Sequence, residues 1–431
     1  MKRTKLEKKT KLEREKEVLE LDREIELDRE MDEIAARCDR EVEEAAELEM
    51  MRKKDIRTKF VVFGVISLLY WIVCLICNPT RAIFSYYFAF LSVLACVIGA
   101  SFFVLIQHAA CAGWSVLLRR SAEIIMSTMF FLVLLFVFVI INLDALFIWT
   151  NKILDAELGA VGSFYLNKTY WILRSVLYFS FWIFVARSMG LRSFKQDYAK
   201  DFSMVEEASL KMKKTSYVKL LFFAYTVTFA AIDWIMALQP HWFSSIFGVY
   251  FFASCFLMGL ACIFLLSIYL EVPITKEHFQ DIGKLMFGFT VFWSYIAFSQ
   301  FMLIWYSDLP EEVTFYLSRL HSKWEYLSYG LIGLNFLFPF FFLISKERKR
   351  SLKNMVFISL WILFSQCVHF YWLVMPVLNE TDLWTSLDCD FAAMFFVFSM
   401  FIAYVLRLSE RRYIYPINDP FLEESATFEN H

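Results

Sequence analysis

FVVFGVISLLYWIVCLIC, residues 60–77, carries no charged side chain. At about 1.5 Å of rise per residue, a helix of this stretch is about 27 Å long, close to the hydrocarbon thickness of a bilayer. Nine more apolar stretches of similar kind follow: Ala82–Ala109, Ile124–Trp149, Tyr170–Met189, Tyr217–Leu238, Phe243–Leu270, Ile282–Trp305, Tyr326–Ser345, Met355–Leu378 and Phe391–Leu406. The expectation is an all-α polytopic membrane protein of about ten transmembrane helices. An even number of crossings places both ends of the membrane region on one side.

Composition agrees. Of 431 residues, 59% are hydrophobic and 19% aromatic, with only 12 Gly and 8 Pro, and the mean hydropathy is +0.51. Soluble domains run near 45–50% apolar, so a soluble globular protein is excluded. Lys and Arg number 43 against 45 Asp and Glu; this near balance gives no support for a nucleic-acid partner. The expected partner is the lipid bilayer. Charge position is informative where charge sum is not.

Residues 1–58 are rich in Lys, Glu, Arg and Leu and contain no Gly or Pro. They predict a charged, solvated helical arm ahead of a transmembrane domain at 59–412, with a short tail at 413–431. Leu6, Leu12, Leu19, Ile25 and Ile34 recur loosely, which is compatible with a short coiled coil but too irregular to assign an oligomer. The arm is not a signal peptide, because the first apolar run begins only near Phe60.

Lys and Arg are retained preferentially in cytoplasmic loops. The even-numbered loops carry Arg119 and Arg120; Arg187, Arg192, Lys195, Lys200, Lys211, Lys213, Lys214 and Lys219; Lys276 and Lys284; and Lys346, Arg348, Lys349, Arg350 and Lys353. The odd-numbered loops carry only Arg81, Lys152, Lys168, Arg319 and Lys323. Both termini are therefore expected in the cytoplasm, with the chain in the inner (cytoplasmic) membrane.

An ionisable residue inside a span costs about 2.5–3.5 kcal/mol on insertion scales and needs a partner or a purpose. Counted from the outer helix ends, Asp144, Arg174 and Asp233 share one depth; Gln300 joins them and His369 lies deeper. An outer polar cluster that binds a ligand headgroup or passes protons is one expectation. A structural ion pair between Arg174 and one aspartate is the other. His108, Glu123 and Glu271, with Gln107, sit at cytoplasmic ends as an inner-mouth set. Between the layers lie only hydroxyls and amides such as Thr226, Thr228, Tyr250, Ser294, Tyr295 and Asn335, so no proton wire follows.

Metal chemistry is expected elsewhere. The nine cysteines are scattered; Cys74 and Cys77 have CxxC spacing inside an apolar helix with no following His, and read as small core residues. Only His108 and His369 lie in or beside spans, at different depths, which argues against a bis-His haem. There is no P-loop, dinucleotide fingerprint or zinc spacing. Asn167-Lys168-Thr169 and Asn379-Glu380-Thr381 fit glycosylation sequons.

Five segments resemble one family: ASFFVLIQHAACAGWSVLLRR at Ala100–Arg120, AIDWIMALQPHWFSSIFGVYFFA at Ala231–Ala253, FSQFMLIWYSDLPEEVTFY at Phe298–Tyr316, LNFLFPFFFLIS at Leu334–Ser345 and HFYWLVMPVLN at His369–Asn379. Together, and in this order, they resemble the ActF-type membrane subunit of alternative complex III, a quinol:cytochrome c/acceptor oxidoreductase, within the NrfD-like (PsrC-like) superfamily. The segment around Asp233, Trp234, Pro240, His241 and Trp242 points to ActF rather than ActC. The resemblance implies two four-helix bundles plus two flanking helices. It also implies an ActC-like quinol-binding subunit, a multihaem cytochrome c and an iron–sulfur subunit as partners. Haem c and iron–sulfur clusters would then lie in those partners, with no covalently bound cofactor here and quinol or quinone as the small molecule at hand. Such a chain would offer a proton path or a quinone-facing surface, with no catalytic residue of its own. Asp233 and His241 fall in a matching motif, as does His369. The indole of Trp242 fits an interfacial aromatic anchor equally well. The alternatives are a structural scaffold of that complex and a secondary transporter; for the latter, midplane polar residues in broken helices are expected, whereas here the charges cluster near the faces.

Overall fold

The computed structural model describes residues 51–150, 164–320, 323–378, 386–410 and 412–429. The predicted arm lies almost wholly outside the described residues. The chain divides into two compact units, Met1–Lys59 and Phe60–His431. Of the first, Met51–Lys59 is helical, with an exposed Asp55–Lys59 pair at 2.6 Å one turn apart.

Among the described residues, ten helices are long and apolar enough to cross a membrane. They are α1 (Met51–Cys77), α2 (Pro79–Ala110), α3 (Gly113–Ile141), α4 (Lys168–Asp197), α5 (Phe202–Leu238), α6 (Phe247–Tyr269) and α7 (Lys276–Ser307). A shorter helix, α8 (Pro310–Leu320), intervenes. The last three spans are α9 (Trp324–Leu343), α10 (Leu352–Leu378) and α11 (Leu387–Ser409), and a short helix, α12 (Leu422–Ala426), ends the described chain. The protein is an all-α, multi-pass membrane protein.

Helix packing sorts the spans into two groups of four: α2–α5, where α2 packs on α3 and α5 and α4 packs on α3 and α5; and α6–α10, where α6 packs on α7 and α10 and α9 bridges those two. The remaining spans flank them. From Phe60 onward α1 packs on α11 through Phe63 and Phe395, ring centroids 5.4 Å apart, and on α2 through Trp71 and Tyr86 at 5.4 Å. The groups meet where α2 crosses α6, the two most deeply buried spans. Without a hydrophobic driving force between helices in lipid, small residues decide how closely backbones approach. A methyl group added at Gly99 would overlap the carbonyl of Cys255, and one added at Gly259 would overlap the backbone of Gly99. Glycine at both positions is therefore a condition of this crossing.

α9 is not regular. Ile332–Leu337 winds as a π-helical turn, and Pro339 follows. In that turn the carbonyl of Leu334 would accept from the amide five residues on, which is Pro339 and has no N–H. The Trp361 indole of α10 donates to Leu334 O at 2.9 Å instead, so the freed acceptor is satisfied inside the bilayer, as an apolar medium requires.

The third span departs from the sequence expectation. Predicted at Ile124–Trp149, it runs from Gly113 to Ile141, because three charges that hydropathy counts against it are paired. Arg120 Nη1 meets Glu123 at 3.1 Å, Arg120 Nη2 meets Asp197 at 2.5 Å, and Arg119 meets Asp419 at 2.6 Å; all of these side chains are buried. The basic loop predicted between spans four and five is likewise mostly helix, with α4 reaching Asp197 and α5 starting at Phe202.

Candidate functional site

The predicted outer cluster separates into three places. In the first bundle, Arg174 of α4 and Asp233 of α5 form a two-pronged pair, with Arg174 Nε 2.8 Å and Nη2 2.9 Å from the two carboxylate oxygens. The Tyr178 hydroxyl donates to the same carboxylate at 2.7 Å. Trp171 donates to Asp233 O at 2.8 Å, and the guanidinium lies over the Tyr165 ring at 4.1 Å. Every partner is fixed by aromatic packing, and Asp233 is completely buried.

Asp144 does not reach this pair. The displaced end of α3 leaves it outside the span, mostly exposed and paired with Lys168. That hydrogen bond holds its carboxyl below the usual range, as for any surface ion pair. His241, predicted as a motif residue, is exposed in the α5–α6 turn. Its neighbour Trp242 is buried rather than anchored at an interface, with its ring stacked on Phe315 of α8 at 4.0 Å.

Gln300 and His369 lie in the second bundle instead, behind residues that line one cavity: Gln300 bonds Tyr316, and His369 packs on Tyr250 and Trp293. This cavity has a volume of about 600 Å3 and is bounded by α6, α7, α8, α9 and α10. Its walls are mainly aromatic, with Tyr250, Trp293, Phe298, Phe301, Tyr316 and Trp372 among them. Tyr295, Phe298, Tyr329 and Ile332 of its lining are exposed on the outer surface of α7 and α9, so the cavity opens sideways between two membrane spans. Ile332 and Phe336 line it from the π-helical turn, and such turns concentrate at functional sites.

The polar groups here are few. Tyr250 is buried, and its hydroxyl has no hydrogen-bond partner among the described residues. Gln300 Nε2 donates to the Tyr316 oxygen at 3.3 Å, which leaves that phenol's proton available to the cavity. Burial pushes the Tyr316 phenol up to about 12, so it is a neutral donor near neutrality. His369 stands behind the wall: its ring is 4.8 Å from Tyr250 and 5.2 Å from Trp293. Its Nδ1 is 3.2 Å from Ser254 Oγ, and its Nε2 is buried without a partner among the described residues.

Arg319 of α8 is the residue that sequence reasoning passed over as a loop charge. It is 1% exposed and has no carboxylate partner among the described residues. Its donors go to neutral acceptors: the carbonyls of Phe315 at 2.8 Å, Trp372 at 3.2 Å and Leu373 at 2.9 Å, and Gln239 Oε1 at 3.3 Å. Its guanidinium carbon lies 3.6 Å from the centroid of Phe315 and 5.1 Å from that of Trp372. Burial pushes its pKa down to about 9, still above neutrality, so it is a cation. A buried cation without an anion, beside an aromatic cavity whose lining includes the inward phenols of Tyr250 and Tyr316, favours a ligand with an electron-rich oxygen.

The predicted inner-mouth residues do not converge either. Glu123 belongs to the Arg120 pair and accepts from Ser193 at 2.9 Å. His108 is buried near the end of α2 and its Nε2 has no partner among the described residues. Glu271 is exposed just past α6, at a φ of 56°. Sequence reasoning also missed a buried pair at the opposite face, where Arg81 meets Asp390 at 2.5 Å and both bond the Tyr371 hydroxyl, at 3.0 and 2.9 Å. Its signal was present: an Arg two residues after the proline that opens a span, and an Asp at the start of another.

A scan against protein-family models finds no match, and a search of curated proteins finds none.

Proposed function

We propose that this chain is the quinone-facing membrane subunit of a quinol-oxidising respiratory complex of the ActF, NrfD-like kind. Its place is then the cytoplasmic membrane with both termini inside, as the Lys and Arg asymmetry of its loops favours. The observation that carries the proposal is the aromatic cavity opening to the bilayer between α7 and α9, with Tyr250 and Tyr316 in its lining and Arg319 behind its Trp372 wall. A quinone is a planar ring with carbonyl oxygens and an apolar tail. It asks for stacking walls, donors at an oxygen and a lateral entrance for the tail, and binding sites of this class are mostly apolar with a few placed hydrogen bonders. Tyr250 and Tyr316 supply donors, and Arg319 favours charge building on the oxygen.

Electrons from the quinol would leave to haem c and iron–sulfur clusters held by partner subunits, together with an ActC-like subunit. For Arg174 and Asp233 the fully satisfied two-pronged geometry favours a packing role over proton transfer, which is the scaffold reading confined to the first bundle.

The test is to tag the carboxyl end, extract native membranes in mild detergent, and record partner masses and the redox difference spectrum. Co-purified c-type haem reducible by quinol is the expected result, and Tyr250→Phe raises the apparent KM for quinol roughly 2- to 10-fold, the scale of one hydrogen bond. A colourless, solitary protein under conditions that preserve other membrane complexes would overturn the proposal.

A further inference from the structure

Beside the Arg81–Asp390 pair, the last turn of α1 meets the first turn of α11. Cys74 of α1 and Asp388 and Cys389 of α11 offer one ligand atom each, and these atoms all lie within 4.8 Å of one another. Both cysteines are free and buried, while Asp388 is exposed. None of this was visible in the sequence, where Cys74 pairs by spacing with Cys77 and lies far from Cys389.

We infer that Cys74, Cys389 and Asp388 form a binding site for a thiophilic divalent cation of the zinc class, which staples the first span to the last. Zinc bonds of about 2.3 Å to sulfur and about 2.0–2.2 Å to oxygen place tetrahedral ligands about 3.3–3.8 Å apart. A group already within 4.8 Å closes on such an ion by small side-chain movements. Two thiolates and a carboxylate are a donor set that zinc accepts, and three protein ligands leave its fourth position to water.

The carboxylate is held for this role: the Tyr70 hydroxyl of α1 donates to Asp388 Oδ2 at 2.7 Å, the kind of outer hydrogen bond that orients a ligating group. A simple disulfide between the two cysteines would give that carboxylate no part. The dipole of the 23-residue α11 presents its positive end to the anionic ligand set. Binding is balanced as one Zn2+ taken up, two thiol protons released to solvent, and a complex of net charge minus one formed. The site is separate from the aromatic cavity and does not rest on the quinone proposal.

The experiment is zinc loading of the purified full-length assembly, removal of free metal, and quantification of zinc per chain in wild type, Cys74→Ser, Cys389→Ser and Cys111→Ser. Stoichiometric zinc in wild type and Cys111→Ser, falling at least tenfold in the other two, supports the site. Two further readouts use wild type alone, so that they stand even where a serine variant fails to assemble. Cobalt loading gives thiolate-to-metal charge-transfer absorption. Chelation makes Cys74 and Cys389 reactive to maleimide together, as mapped by peptide mass. Zinc content indifferent to both substitutions, no charge-transfer band with cobalt, or a Cys74–Cys389 disulfide in the peptide map would each overturn the inference.

Discussion

Replacing Gly259 by alanine isolates the joint between the two bundles. The added Cβ would overlap the backbone of Gly99 and of Ala100, and neither can rotate away as a side chain would. The helices must separate or shift, which in a close-packed interior costs about 1–3 kcal/mol and forfeits contacts along the crossing. That range is roughly a 5- to 150-fold fall in the ratio of folded to unfolded protein. Gly99→Ala meets the Cys255 carbonyl and the same partner backbone, so its cost falls in the same range. Once one methyl has opened the gap the second finds it partly open, and the double variant costs less than the sum by more than about 0.5 kcal/mol. Gly288→Ala is the internal control: nothing lies within 4 Å of its Cβ position, and helix propensity alone leaves it unchanged or more stable by up to about 1 kcal/mol. Equilibrium unfolding in mixed micelles of rising SDS content, followed by tryptophan fluorescence, gives all four values. Gly259→Ala within about 0.5 kcal/mol of wild type, or strict additivity with Gly99→Ala, would refute the argument from close approach.

Trp361→Phe leaves the Leu334 carbonyl without its donor and costs about 1–3 kcal/mol in the same assay, and adding Pro339→Ala, which restores a backbone N–H, recovers part of that loss. Asp233→Ala strands the Arg174 charge and costs about 3–5 kcal/mol, read as loss of monodisperse protein on size exclusion. Asp144→Asn breaks an exposed pair with Lys168 and changes stability by less than about 0.5 kcal/mol; on the proposed function, quinol turnover stays at wild-type level. The lowered Asp144 carboxyl adds stability above its unfolded pKa and loses it as pH falls through the folded value. Screening by solvent makes that acid-side loss too small to distinguish wild type from Asp144→Asn in pH-dependent unfolding. Arg319→Met removes the cation beside the cavity and the donors to the Phe315, Trp372 and Leu373 carbonyls, so it lowers stability by about 1–3 kcal/mol; on the proposed function it also raises the KM for quinol, which Trp361→Phe, with a similar loss of stability, does not.

The number and order of spans were legible because a bilayer imposes a length and a polarity on each helix that few other environments do. Where the reading slipped, charge was the cause. Arg119, Arg120 and Glu123 made the start of α3 look like a loop, although the two arginines have buried partners far along the chain and Glu123 pairs with Arg120 one turn away, and the resulting shift of about ten residues put Asp144 at a depth it does not occupy. Depth counting also grouped Arg174, Asp233, Gln300 and His369, since distance from a helix end says nothing about which bundle a helix joins. The cavity was out of reach for another reason. Its walls come from five helices, and no local pattern distinguishes Tyr250 or Phe298 from the other aromatics of a chain with 49 Phe and 20 Tyr.

Arg81 finds Asp390 across 309 positions of chain, and Arg119 finds Asp419 across 300. During synthesis from the amino end, each arginine is therefore made and delivered to the membrane long before its counter-charge exists. Until the last span and the segment after it emerge, these two cations must wait in headgroups, water or the insertion machinery. Closure of the fold is in that sense a late, electrostatically signalled step: segments made some 300 positions later neutralise the first bundle. A chain stalled before Asp390 would carry two uncompensated arginines at opposite faces of the bilayer, a mark by which unfinished molecules differ from finished ones.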